Sequence, residues 1–137
     1  MIQNITRKFN WSDLDLDFIA HPTTGDVVKK TGVDAVKRSI RNLVLTNFYE
    51  RKFNHSIGSN VQKLLFENIN PLVAGFLKDA VIEVITNLEP RAELVQENDG
   101  VLVDADYDEH GYNVSVTFRM NNSGVPVTFS LFLERLR

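Results

Sequence analysis

Apolar residues between Val33 and Phe48 fall at Val33, Val36, Ile40, Leu43, Val44 and Phe48, with Lys37, Arg38 and Arg41 between them. Spacings of three and four place them on one stripe of a helix. Thr31 reads as its cap, with Asp34 three residues on in a loose capping box. Ser59 is positioned to cap a short helix carrying Val61, Leu64, Leu65 and Phe66. Asn70-Pro71 is a cleaner start, a capping side chain followed by proline at the first helical position. The helix it opens carries Val73, Phe76, Leu77, Ala80, Val81, Val84 and Leu88, widened by Ile82 and Ile85. Pro90 disfavours helical dihedrals at Glu89, so this helix should end near Leu88.

Beyond Pro90 the period changes from helical to two. Val101, Val103, Ala105 and Tyr107 alternate with Leu102, Asp104, Asp106 and Asp108. After the turn at Glu109-His110-Gly111, Tyr112, Val114, Val116, Phe118 and Met120 alternate with polar residues, and after Asn121-Asn122-Ser123-Gly124 Val125, Val127, Phe129, Leu131 and Leu133 alternate with Pro126, Thr128, Ser130 and Phe132. Three alternating runs joined by two turns make an antiparallel meander with one buried face. Leu14, Leu16 and Phe18 alternate with Asp13, Asp15 and Asp17 near the start, which reads as a strand with one wet, acidic face. Helices first and strands after indicate an α+β fold: two main helices plus a short helix packed on an antiparallel β-meander of three to four strands. One domain spans residues 1–137, with an N-terminal segment over 1–30, a helical part over 31–89 and a C-terminal sheet over 91–137.

Composition narrows the function classes. The 137 residues are 43% apolar and 24% charged, enough for one core. A net charge of −3 argues against a dedicated nucleic-acid binder. The chain has no cysteine, which excludes disulfides, thiolate nucleophiles and cysteine-ligated zinc. No apolar run has the length of a signal peptide or membrane span, so a soluble, intracellularly made domain is expected.

Candidate chemistry is sparse. Asp104, Asp106 and Asp108 have calcium-loop spacing, but Glu109 and Ser115 stand where such a loop needs glycine and an acid. His21, His55 and His110 are isolated beside turn residues, with no second ligand at helical spacing. No phosphate-loop, dinucleotide or nucleophile-elbow pattern occurs, so no cofactor, metal or catalytic residue is assigned. Glu89 and Glu93 are the only pair considered for glycoside hydrolysis, and nothing else in the chain supports them. Lys29, Lys30, Lys37, Arg38 and Arg41 form a basic helix side without interleaved aromatics, read as a solvated face. Phe132 and Leu102 fall on the wrong face of their strands, which points either to a thin second layer made by the N-terminal segment or to cover supplied by another protein.

Several segments together resemble one family, the baseplate wedge and sheath-initiator proteins of contractile phage tails, with related subunits in type VI secretion baseplates. The stretch FNWSDLDLDF is similar to the family's opening pattern, and GDVVKKTGVDAVKRSIRNLVLTNFYERKFN to its first helix and following turn. In that turn Tyr49 stands where the family has glycine. IGSNVQKLLFE, residues 57–67, matches a Gly-Ser followed by Leu-Phe-Glu, and Glu89-Pro90-Arg91 matches the family's short motif after the long helix.

The resemblance implies a structural, non-enzymatic virion component, held in the tail baseplate and assembled in the host cytoplasm. Its implied partners are other wedge subunits, the tail sheath protein and tube-proximal proteins, with neither nucleic acid nor membrane. It implies that Glu89, Pro90 and Arg91 dock on neighbouring wedge subunits. The final strand, with Val125, Val127, Phe129, Leu131, Phe132 and Leu133 and a short basic tail of Arg135 and Arg137, would template the first sheath ring by strand pairing. Three alternatives stand beside these readings. Glu89 and Arg91 can instead form an internal ion pair clamping the helix to the first strand after it. Some family members carry a lysozyme label, which would make the chain a peptidoglycan-cleaving tail enzyme. Without the resemblance the chain reads as a small α+β interaction domain of unknown partner.

Overall fold

A computed structural model describes residues 11–15, 17–121 and 123–136. Leu16, Asn122, Arg137 and the first ten residues lie outside the described residues, and so do the expectations placed on them. Along the chain come strands β1 (Ser12–Leu14) and β2 (Lys29–Thr31), helices α1 (Val33–Leu45), α2 (Val61–Leu64) and α3 (Pro71–Leu88), strand β3 (Ala92–Leu94), a 3-10 turn (Glu97–Gly100), and strands β4 (Val101–Asp106), β5 (Gly111–Met120) and β6 (Ser123–Glu134).

The expected cap of α3 is in place, with the Asn70 side-chain oxygen accepting from the Val73 N–H at 2.9 Å and Pro71 in the first turn. At the other end Glu89 has left the helix, with φ −120° and ψ 80°, as the following proline requires. The helix therefore stops where its sequence says it should.

β5 is the centre of the main sheet. On one side β6 pairs with it from Gly111 to Met120, with a bulge between Arg119 and Met120. On the other side β4 pairs with Gly111–Val116 and β3 with Phe118–Met120, so these two short strands lie end to end along the same edge. Tyr112 faces Leu133, Val114 faces Leu131 and Val116 faces Phe129, all on the helix side of the sheet. Tyr112, Val114, Val116, Phe118 and Met120 are all buried there against the apolar sides of α1 and α3. The Tyr112 hydroxyl accepts the Asn70 N–H at 3.3 Å, which satisfies its polar tip inside the core. α3 lies against β3 and β4, whereas α1 lies against β6 and the small β1–β2 ribbon. Among the described residues no helix is long and apolar enough to cross a membrane.

Three local expectations are corrected. Gly32, not Thr31, precedes α1 and offers no side-chain cap; Thr31 is instead the last residue of β2. α1 stops at Leu45, before the expected Phe48, and the Thr46 hydroxyl donates back to the Asn42 carbonyl at 2.6 Å. Phe76 belongs to the expected α3 stripe by spacing, yet is 51% exposed. The buried side of α3 is narrower than that stripe and carries Val73, Leu77, Val81, Val84 and Ile85.

The largest correction concerns the acidic run near the start. Leu14 and Phe18 are exposed, whereas Asp15 is buried. Lys30 Nζ lies 3.5 Å from one Asp15 oxygen and Arg38 Nη2 lies 3.8 Å from the other, while Arg38 also reaches Asp17 at 2.6 Å. A strand of three residues has too little apolar surface to set its own orientation, and two cations from β2 and α1 do so instead. The basic side of α1 is therefore partly an internal partner of these acids and not only a solvated face. The hydrogen bond to Arg38 is the main reason the Asp17 carboxyl is held below its usual range.

Candidate docking sites at the Glu89 corner and the outer edge of β6

Glu89, Pro90 and Arg91 sit where α3 hands over to β3. The corner is tied on both sides: the Ala92 N–H donates to the Glu89 carbonyl at 3.2 Å, and Asn121 donates its side-chain amide to the Pro90 carbonyl at 2.7 Å. Arg91 turns back on Glu89 with two parallel bonds, Nε to Oε1 at 2.6 Å and Nη2 to Oε2 at 2.8 Å. This is the bidentate fork that suits a guanidinium to a carboxylate. The internal ion pair weighed from the sequence is thus present in the isolated chain.

Glu89 is 2% exposed. Burial works to raise its carboxyl, but hydrogen bonds from Arg91 and Ser39 outweigh that and hold it below the usual carboxylate range. Arg91 is raised in turn, chiefly by its bond to Glu89. The guanidinium carbon also lies 5.6 Å from the centroid of the Trp11 ring. A cleft of about 630 Å³ opens beside the pair, with Trp11, Asp13, Ser39, Asn42 and Arg51 among its walls. Glu89 therefore acts through Arg91, and Pro90 and the free side of Arg91 are what the corner presents to solvent. Trp11, Ser39, Asn42 and Arg51 are members that sequence reasoning missed. Ser39 and Asn42 did carry a faint signal, as polar residues at helical spacing flanking the apolar stripe of α1.

The Gly58-Ser59 pair, next to Ile57 in the cleft wall, fixes the loop that follows the turn. The Ser59 hydroxyl donates to the Val44 carbonyl at 2.7 Å and its N–H to Thr46 at 2.8 Å, which docks the loop onto the end of α1. A Cβ at Gly58 would come within 2.6 Å of the Asn47 carbonyl oxygen and the Phe48 nitrogen, so only glycine permits that approach.

The second site is the outer edge of β6. The Arg135 N–H donates to the His110 carbonyl at 2.9 Å, continuing the β5–β6 register. Because bonded and non-bonded pairs alternate in an antiparallel ladder, Val127, Phe129, Leu131 and Leu133 bond inward to β5. Thr128, Ser130, Phe132 and Glu134 then direct their N–H and C=O groups away from the sheet. Pro126 belongs to the outward set, the position an edge strand allows for a residue without an N–H. Leu131 and Leu133 are buried, Val127 and Phe129 are half-buried, and Val125 and Phe132 are exposed. The expected wrong-face residues are where the alternation put them: Phe132 is 47% and Leu102 51% exposed on the outer face. The Phe132 ring lies over Gly111, where a Cβ would fall 2.5 Å from its Cζ. The β1–β2 ribbon sits beside α1, so it does not supply the second layer considered for that face.

Arg135 of the basic tail is also not free. Arg135 donates to the Glu67 carbonyl at 3.1 Å and to the Asn68 side chain at 2.8 Å, anchoring the end of β6 to the loop before α3. His21, His55 and His110 are all exposed; His21 caps a turn, His55 lies beside Tyr49, and His110 holds a positive φ of 53°. Asp106 accepts from the N–H groups of Asp108 and Glu109, so the acidic run of β4 ends in a side-chain-capped turn.

The comparisons with known proteins bear on the family and the fold. The chain is 28% identical over 93 residues to the baseplate wedge protein gp25 of Enterobacteria phage T4, covering 68% of this chain and 67% of that one. Its fold matches a chain of the anti-feeding prophage baseplate with a TM-score of 0.61 at 23% identity, over 93% of this chain and 88% of the other. A chain of the postcontracted pyocin R2 baseplate matches with a TM-score of 0.53 at 16% identity, over 89% and 98%. A candidate tail lysozyme from Geobacter sulfurreducens shares the fold too, with a TM-score of 0.58 at 22% identity over 72% and 88%. The sequence profile described as Baseplate wedge protein gp25 matches residues 30–124, more than half of the chain, and the protein belongs to that family.

Proposed function

We propose that the protein is a structural subunit of a contractile-tail baseplate wedge, docked on neighbouring wedge subunits near the tube through the Glu89-Pro90-Arg91 corner. At its other side it templates the first ring of tail sheath by strand pairing along β6. Membership of the wedge family supports the structural role and a place in the tail baseplate of the virion. The partners named in this reading are other wedge subunits, the sheath protein and tube-proximal proteins, joined during assembly in the host cytoplasm.

One observation carries the templating half. β6 is 12 residues long, bonded to β5 along one side, anchored by Arg135 at its end, and without a paired strand on its other side among the described residues. A long unpaired edge is a hazard unless it has a partner, because its backbone groups template any extended chain. Strand addition uses those groups for affinity and the flanking side-chain sites for specificity.

The enzymatic alternative has weak support in the geometry. A glycoside hydrolase needs a carboxylic acid kept protonated near neutral pH. Glu89 is held ionised by Arg91, and Glu93 is exposed on β3.

The test is an affinity pull-down of the tagged protein from a lysate assembling these tails, read by mass spectrometry. Wedge subunits and sheath protein recovered in defined ratios are the expected result. Recovery of the protein alone, with peptidoglycan-cleaving activity in the eluate, would overturn the reading.

A further inference from the structure

The open edge of β6 and the polar flank of α1 share one groove of about 310 Å³. Lys30, Lys37, Arg38 and Arg41 line it from β2 and α1, facing Phe129, Ser130 and Leu131 of β6, and Asp34 is the one acid in its wall. Arg38 and Lys30 are already engaged by Asp17 and Asp15 at 2.6 and 3.5 Å. Lys37 reaches Asp34 only at 4.0 Å in a solvent-exposed pair, an interaction worth little. No carboxylate of the described residues lies within 4 Å of Arg41. Among the described residues, Lys37 and Arg41 therefore stand over the edge without a firm ion-pair partner.

Geometry fixes what an added strand meets there. Its backbone bonds to the outward groups of Thr128, Ser130, Phe132 and Glu134, which sets it about 4.8 Å beyond β6. Its side chains then alternate between two environments. One set lies beside Ser130 and Phe132 on the outer face, close to the carboxylate of Glu134. The other set lies beside Phe129 and Leu131 on the helix side, where Lys37 and Arg41 flank it. A basic side chain in the second set is repelled, and an apolar one strips water from two cations without replacing it. A carboxylate there satisfies both. Pro126 offers no N–H and ends the ladder on one side, so the added segment is short, about seven residues.

We infer that the β6 edge takes an extended segment of a partner protein carrying carboxylate side chains on its helix-facing positions, opposite Phe129 and Leu131, where Lys37 and Arg41 receive them. This rests on the strand-pairing reading above and adds the charge pattern that selects the strand.

Two labelled eight-residue peptides test it against the full chain by fluorescence anisotropy, one alternating Thr with Glu and the other alternating Thr with Lys. The Glu peptide is expected to bind about tenfold more tightly at low salt, an advantage that shrinks to about twofold near 0.5 M salt. Lys37→Glu with Arg41→Glu should reverse the preference. Ser130→Pro removes one outward N–H without touching the β5 ladder and should weaken both peptides about tenfold. If Ser130→Pro weakens binding but the charge-reversed variant still prefers the Glu peptide, the charge inference falls and strand pairing stands. If Ser130→Pro changes nothing, or neither peptide binds the wild-type chain, strand pairing at β6 falls and the charge inference with it.

Discussion

The Glu89 corner and the β6 edge are both places where the chain meets solvent with strong polar groups, and they treat those groups in opposite ways. At the corner Arg91 spends two donors on Glu89, Ser39 supports the same carboxylate, and Asn121 takes the Pro90 carbonyl. Along β6 the outward backbone groups of Thr128 to Glu134 have no strand beside them among the described residues. The corner is already tied together in the single chain and offers a fixed shape. In the proposed reading the edge, unpaired among the described residues, is completed by a partner strand. Damage to the corner should therefore register in the isolated protein, and damage to the edge chiefly in assembly.

Arg91→Ala is the sharpest way to break that contrast. It leaves the Glu89 charge buried without its fork, which costs about 3 kcal/mol for a pair of this kind. For a chain of this size that is a fall in melting temperature of roughly 10 °C, read by calorimetry. Adding Glu89→Gln removes the stranded charge and should recover part of the loss. A double variant that folds but does not join wedges would separate docking from clamping; one that folds and joins normally would remove the corner from the docking surface.

Acid supplies the next largest effect. The folded-state pKa of Glu89 is lowered, so its contribution is present above the unfolded carboxylate value and is lost as pH falls through the folded one. The loss begins about one pH unit above the unfolded glutamate pKa of about 4.3 and runs down through the lowered folded value. Chemical denaturation at a series of acid pH values should show a steeper loss in the wild type than in Glu89→Gln, and equal slopes would show that the pair does not couple protonation to folding.

Phe132→Asp tests the other side of the comparison. The ring covers Gly111 from the outer face and is half exposed, so its loss should cost only about 1 kcal/mol in the isolated chain. Wedges should still incorporate the variant, while sheath nucleation falls because a carboxylate now stands beside the added strand and near Glu134. Sheaths of normal number and length on such baseplates would show that the outer face of β6 is not used.

What was legible in the sequence follows the same division. The ends of α3 and the alternation of β4, β5 and β6 rest on local chemistry, a cap, a proline and a period of two, and they are present as read except at Tyr107, beyond the end of β4, and Val125, which are both exposed. Asp15 was misread because its burial depends on Lys30 and Arg38, which are distant in sequence, and no local pattern records a charge supplied from elsewhere. The same holds for the cleft. Glu89, Pro90 and Arg91 were marked by their motif, but Trp11, Ser39 and Arg51 join them only through the packing of three separate segments. The outward and inward parity of β6 needed the register as well, since alternation alone says which face a side chain takes and not which edge its backbone bonds.

Tyr49 gives the smallest effect and the most local one. It stands in the turn where the family resemblance has glycine, and it keeps the left-handed backbone, with φ 70°. A non-glycine residue there costs roughly 1–2 kcal/mol of backbone strain. Two contacts bear on that cost: the Tyr49 N–H donates to the His55 carbonyl at 3.1 Å, and the two rings lie 6.0 Å apart. Tyr49→Gly keeps the backbone bond, relieves the strain, and loses the exposed ring contact together with some order of the unfolded chain. The net expectation is a gain of about 0.5 kcal/mol, measurable as a small rise in the denaturation midpoint. The turn flanks the cleft through Arg51 but does not touch the β6 edge, so sheath nucleation should be unchanged. A loss of stability would mean that the Tyr49–His55 contact outweighs the strain, and that the departure from glycine has been compensated within the loop itself.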